Sequence, residues 1–445
     1  MRRHLILASL LVCWVSPAVA EEKPTYADFE TNDVCAECHT DIAAQYEQSV
    51  MSKSFTHKWD EVEYYELALP HSGKDEKVAG IKGGCMGCHS PLAFITGDIP
   101  PKRPAENTRA NDGVSCDLCH SITGMEGDVP FNFNFKVDGK GPKQGTREGV
   151  SSGGEHEIAV NPFLETAEFC GVCHNEKDPY DQWVKATQLE WKESPQGKAG
   201  IVCQDCHMPP AESNPATGGD GKVHADTRQH LFNGSHDNAK LKGSIEVLIH
   251  TTTPKAKAGD TATFMATVTN AKAGHMIPSG SAEERVVWLD VVAVDAAGKK
   301  YPLAVDPKGF ENEDMTIASA DALAYQDLGE LQGIKDFKGL ERDGQVPAGD
   351  RIFRLPYLDP KGRMTVAQWN TASFGPDYRL APLEAKNETY TWILPRGVNG
   401  PVTVTATVYY SRLVSSVADH LDIPKEEWAA VEVSSNSVTL NIPKK

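Results

Sequence analysis

The chain has 445 residues with 44 basic and 62 acidic side chains, a formal charge of −18. That balance excludes a general nucleic-acid binder, because phosphate contacts need a basic face. The acid is concentrated in residues 21–240, where 36 acidic groups face 20 basic ones, so a basic protein would be steered to that half; solubility alone accounts for the charge equally well.

Residues 1–20, MRRHLILASLLVCWVSPAVA, have a basic start, an apolar run and an Ala18-Val19-Ala20 exit. This reads as a secretory signal peptide cleaved before Glu21. Val12 ahead of Cys13 makes a poor lipoprotein site. Nothing later reaches the apolar length of a transmembrane segment. The expectation is an exported, periplasmic protein of a bacterium, with the cell surface or the extracellular space as its further reach.

Five pentapeptides then repeat the pattern C-x-x-C-H: Cys35/Cys38/His39, Cys85/Cys88/His89, Cys116/Cys119/His120, Cys170/Cys173/His174 and Cys203/Cys206/His207. At this composition, chance supplies roughly 0.01 such matches. Cysteines three apart sit about one helical turn apart, so both sulfurs can bond one porphyrin. The histidine that follows is held beneath the iron as its proximal ligand. The pattern predicts five covalently bound haem c groups. Paired C-x-x-C elements also build zinc sites, but zinc does not require a histidine after every pair, and five pairs do not divide into four-ligand sites. All ten cysteines beyond residue 20 are used, leaving none for a disulfide.

Residues 21–241 are rich in Gly, Pro, Asn and Asp and poor in aliphatic core, as expected where porphyrins supply the apolar mass. First cysteines are spaced 50, 31, 54 and 33 residues apart, which suggests one isolated haem and then two pairs. Helices are expected over Asp41–Ser54 and Tyr180–Ser194 from their three- and four-residue apolar spacing. From residue 242 the texture changes to β-branched runs of period two: SIEVLIHTTTP, ATFMATVTN, RVVWLDVVAVD, TYTWILP and PVTVTATVYYS. The fold class is therefore α+β in two domains. A multihaem domain of short helices and loops (21–241) precedes an antiparallel β-sandwich of immunoglobulin-like type (242–445), with an irregular insertion near 306–370 and a short helix near 317–331.

Nine histidines lie outside the motifs and the signal segment. His57 ends the first expected helix. His156 sits in a Gly-rich loop, and His230 and His236 flank one short turn. His275 stands in the Gly-bracketed turn Gly274-His275-Met276-Ile277-Pro278-Ser279-Gly280 and is read as a ligand joining the two domains. These five are the candidate distal ligands. His71 and His224 are in reserve, while His250 and His420 read as ordinary surface or core histidines.

The segments FCGVCHN, QLEWKESPQGKAGIVCQDCHMP and HLFNGSHDNAKL resemble the multihaem cytochromes grouped with cytochrome c554, and the turn Asn270–Gly280 is similar to one that opens a C-terminal β-domain in some members. The resemblance implies packed haem pairs, largely bis-histidine iron, and His57, His156, His230, His236 and His275 as distal ligands. A pentahaem count departs from the tetrahaem type member, so ligands do not transfer haem by haem. The expected function is electron relay between other redox proteins, with no catalytic residue. The alternatives are reduction of a small nitrogen or sulfur species at one open haem, and assembly as a homo-oligomer or extracellular filament. A lysine-bearing catalytic motif, usual in related nitrite reductases, is missing here, since all five motifs end in histidine.

Overall fold

The computed structural model describes residues 23–308 and 315–442, so the expected signal segment lies outside the described residues. Every motif is carried by a short helix: α1 (Asn32–Cys38), followed by α2 (Thr40–Glu47), then α3 (Ile81–His89), α4 (Cys116–Cys119), α5 (Ala167–His174) and, further on, a helix over Cys203–His207. Their starts are written locally. Ser115 Oγ accepts the Leu118 N–H and Thr166 Oγ1 accepts the Phe169 N–H, two N-caps placed just ahead of motifs 3 and 4.

The expected helix over Asp41–Ser54 is interrupted: α2 ends at Glu47 and a 3-10 turn covers Met51–Lys53. The one over Tyr180–Ser194 is corrected. Asp178 Oδ1 accepts the N–H groups of Tyr180 and Gln182, and Asp181 takes φ +65°, so the chain turns instead of coiling. Trp183–Ala186 (β2) pairs with Asn175–Lys177 (β1), and helix α6 runs only over Thr187–Glu193. The motif 5 helix, α7, follows at Cys203–His207.

Beyond residue 242, two short two-stranded ribbons lie in the 306–374 stretch, and the longer strands form two antiparallel sheets. One has three strands, β3 (Ile245–Thr251), β4 (Thr261–Asn270) and β8 (Ala385–Ile393), with β4 in the middle. The other holds β5 (Val286–Val294), β6 (Lys300–Pro302), β7 (Arg351–Phe353), β9 (Val402–Ser411) and β10 (Val431–Leu440). Alternate residues of β4 (Ala262, Phe264, Ala266, Val268), β5 (Val287, Leu289, Val291, Ala293) and β9 (Val402, Val404, Ala406, Val408) meet in one core drawn from both sheets. The stretch 306–370 contributes β7 and a helix, α8 (Asp327–Gln332), stopped by Gly333 at φ +72°; the short helix expected near 317–331 occupies only the end of that range.

A second core crosses the change of texture at 241/242. It packs Trp59, Val62, Leu67 and Ile81 against Trp288, Leu328, Trp369 and Trp428. Polar anchors accompany it: Trp369 Nε1 donates to His71 Nδ1 (3.0 Å), and Glu427 accepts the N–H groups of Lys58 (3.2 Å) and Trp59 (3.1 Å). The β-rich part is thus fastened to the motif-bearing part by buried surface, and the turn bearing His275 is brought against α6.

Candidate haem sites

One continuous cavity of about 2630 Å³ runs through the motif-bearing half. All five motif histidines line it, with every motif cysteine except Cys85, which borders a smaller recess behind motif 2. This volume is several times that of an ordinary small-molecule site. Its non-motif histidines are His57, His156, His224, His230, His236 and His275. Among the described residues no three His, Cys, Asp or Glu side chains gather as a lone metal ion would need.

Most of these imidazoles are oriented by a backbone carbonyl. Nδ1 of His39, His89, His120 and His207 faces the carbonyl of Pro215 (2.6 Å), Ser54 (2.9 Å), Gln144 (2.7 Å) and Asn233 (2.7 Å). A carbonyl can only accept, so Nδ1 carries the proton and the Nε2 lone pair is free. The same holds for His156 with Glu157 O (3.2 Å), His230 with Arg228 O (3.0 Å) and His275 with Met276 O (2.8 Å). Burial pushes His174, His207 and His230 down to about 4 and His236 to about 3, so these rings are neutral at pH 7, the form that ligates.

Two ring pairs stand at a separation that fits one iron between them. A metal–imidazole bond is about 2 Å, so two rings on one ion have centres about 6 Å apart. His39 and His156 are 6.5 Å apart, and His120 and His230 are 6.2 Å apart with planes 25° from parallel. His275 lines the same cavity as His207 and His174 and is near enough to bear on the pKa of each. His57 and His236 are differently placed. Their rings are 5.2 Å apart and nearly perpendicular. Asp60 brings one oxygen to 3.1 Å from His57 Nδ1 and the other to 3.3 Å from His89 Nδ1, so His57 sits behind His89, away from its Nε2. His71 spends its Nδ1 lone pair on Trp369, which leaves the proton on Nε2. His250 is exposed on β3, and His420 Nε2 meets Gln332 Oε1 at 2.7 Å.

The motifs also touch one another. Helix α1 packs on α4 and α5 on α7, and Cys88 Sγ donates to the Cys173 carbonyl at 3.8 Å. The order expected from spacing is therefore corrected in part. Motif 1 is not isolated but lies against motif 3, and motif 2 meets motif 4; motifs 4 and 5 lie together, as their spacing led one to expect. Sequence distance misleads here because the loop Pro130–Asn134 folds back between motifs 2 and 4. Phe133 takes φ +52°, donates its N–H to Val172 O (2.6 Å), and lays its ring on Phe94. It lies over Gly87, where a Cβ would stand 2.2 Å from the Phe133 ring. Gly87→Ala is expected to cost about 1–3 kcal/mol through overpacking, read as a lower denaturant midpoint. An unchanged midpoint would mean that the loop yields freely.

Motif helices, metal-ready imidazoles and a shared cavity define a multihaem c-type cytochrome, and haem c is the cofactor these residues fit. Residues 34–121 match the family model described as Cytochrome c554 and c-prime. The fold is similar to that of a penta-haem cytochrome c552 from Thermochromatium tepidum, at 20% identity and a TM-score of 0.60, covering 93% of this chain and 99% of that one. Spo0M, a sporulation control protein from Bacillus subtilis, aligns over 46% of this chain and 51% of its own at 9% identity, but its TM-score of 0.17 supports no argument. No curated protein matches the sequence. Among the described residues no helix is long and apolar enough to cross a membrane.

Proposed function

We propose that the chain is an exported pentahaem cytochrome that relays electrons between other redox proteins, its signal peptide (1–20) removed on export to the periplasm. The observation that carries this reading is the close approach of the motif helices around one cavity, because haems attached at neighbouring motifs lie close enough to form a continuous path. Bound haem supplies one-electron iron chemistry, and the protein spaces and tunes it. Cys35, Cys38, Cys85, Cys88, Cys116, Cys119, Cys170, Cys173, Cys203 and Cys206 hold the five haems, with His39, His89, His120, His174 and His207 proximal. The ring separations support His156 opposite His39 and His230 opposite His120. The free Nε2 of His275 supports ligation within the motif 4–motif 5 pair. His57 and His236 complete the distal set as cavity-lining histidines. The division into a haem domain (21–241) and an immunoglobulin-like sandwich (242–445) belongs to the same reading, supported by two sheets on one core.

A second reading, reduction of a small nitrogen or sulfur species at motif 2, is favoured by one feature: His57 stands behind His89 instead of across from its Nε2. Two measurements separate these readings. Intact mass of the mature protein is expected to show five haem additions on a chain beginning near Glu21; a shortfall in fully matured material would remove the motif concerned. Ferrous protein that takes up no CO supports relay throughout, whereas uptake of one equivalent would move motif 2 to the enzyme reading.

A further inference from the structure

The turn that presents His275 is not held by its own strands alone. Asn270 Nδ2 donates to the His275 carbonyl (2.9 Å), which ties the turn to the end of β4. Ile277 is bridged in both directions to Leu380 at 2.9 Å, and the restraints on Met276, Ser279 and Gly280 come from α6, on the other side of the 241/242 change. Glu190 Oε2 accepts the Met276 N–H (3.2 Å) and the Ser279 hydroxyl (2.6 Å). Its other oxygen accepts from Arg379 Nη1 at 2.6 Å. One turn earlier, Thr187 Oγ1 meets Ser279 Oγ (2.9 Å) and accepts the Gly280 N–H (3.2 Å). Glu190 is 11% exposed and Arg379 10%, so this is an enclosed, charge-assisted cluster. Burial alone would lower the Arg379 pKa, but Asp377 and Glu190 outweigh it and keep the guanidinium charged.

The connection to the imidazole is short. Met276 is gripped at its N–H by Glu190, and its carbonyl accepts from His275 Nδ1. Residue 276 thus links carboxylate to ring, its N–H bonded to Glu190 and its carbonyl to His275, and the ring's rotation depends on where residue 276 is held. We infer that Glu190 is the positioning residue for His275, a carboxylate of the haem-bearing half that aims a ligand carried by the β-rich half. This rests on the reading that His275 binds iron. The arrangement follows the rule that a metal-binding histidine is oriented through its second nitrogen. Here the orienting carbonyl is itself fixed from across the interface.

The experiment compares haem-loaded Glu190→Ala, Glu190→Gln and His275→Ala by electron paramagnetic resonance, CO binding and reductive titration, with haem content checked by intact mass. Glu190→Ala is expected to raise the high-spin fraction at a single haem at least tenfold over wild type, with CO uptake at that haem and a shift of its potential alone. Glu190→Gln keeps an oxygen to accept from Met276 and Ser279, so it should restore most of the low-spin signal, which a loss of charge or general loosening would not explain. Ser279→Ala and Thr187→Val are milder variants for the case in which Glu190→Ala does not mature, and each should give a smaller shift at the same haem. If His275→Ala converts one haem while Glu190→Ala and the milder pair convert none, the positioning role is overturned and ligation stands. If His275→Ala leaves all haems low-spin, ligation itself fails and takes the positioning role with it.

Discussion

Replacing His275 by alanine is expected to turn one low-spin haem high-spin and CO-reactive while leaving the others as they are. The expectation follows from three features of the ring. Its Nδ1 proton is committed to Met276 O at 2.8 Å, so the lone pair is on Nε2. The ring lines the shared cavity beside the motif histidines His174 and His207. The turn is clamped from α6, so little backbone freedom remains for another residue to swing in. An iron–nitrogen bond between the two halves would be lost, yet the halves should not separate. Trp59, Trp288, Trp369 and Trp428 share one core, and the Glu427 and His71 bonds lie outside the turn. The thermal midpoint should therefore fall by only a few degrees, the response to about 1–2 kcal/mol. Optical spectra with CO and a calorimetric scan read both quantities. Unchanged spectra in the variant would take His275 out of the ligand set, and a collapse of the midpoint would mean that the interface depends on the ligand.

What was legible in the sequence is what is local. The cysteine and proximal histidine positions follow from a five-residue pattern, and β3, β4, β5, β8 and β9 follow from period-two alternation. Strand β10 was missed because Ser434, Ser435, Asn436 and Ser437 interrupt its apolar signal, although Val433 and Leu440 are buried. The helix over Tyr180–Ser194 was over-read because apolar spacing says nothing of the Asp178 turn that stops it. Pairing of distal with proximal histidines was out of reach, since the Gly-rich loop of His156 meets α1 across more than a hundred residues of chain. The Nδ1 acceptors Pro215, Gln144, Asn233 and Ser54 act through backbone carbonyls, which leave no mark in side-chain identity. Glu190 lay inside a segment already noted for its resemblance, but its role depends on Arg379 and Ser279, both supplied from the other half.

Substituting Glu283 by glutamine is expected to stabilise the haem-loaded protein at pH 8–9 and to leave it unchanged near pH 4. Glu63, Glu283 and Glu284 are 8%, 6% and 4% exposed and converge behind motif 2. Both Glu283 oxygens lack a hydrogen-bond partner among the described residues. The nearby cation, Lys185, gives its ammonium to Glu176 at 2.6 Å and to Gln368 at 2.5 Å. Burial and then the Glu284 charge hold the Glu283 carboxyl well above the usual carboxylate range, with Lys185 and Arg285 offsetting part of the rise. For an acid raised in the fold, the native state binds more protons than the unfolded state between the two pKa values. Its contribution is therefore complete below the unfolded value, near 4.3, and declines as pH climbs through the folded one. The loss is about 1.4 kcal/mol for each pH unit that separates them. Glutamine keeps the shape and removes the titration, so the variant should lose less stability on the alkaline side. Denaturant midpoints at pH 4.5 and pH 8.5 provide the test; a variant that is no more stable than wild type at the higher pH would mean that Glu283 is ionised and solvated in the native protein, and that the three carboxylates are not in conflict.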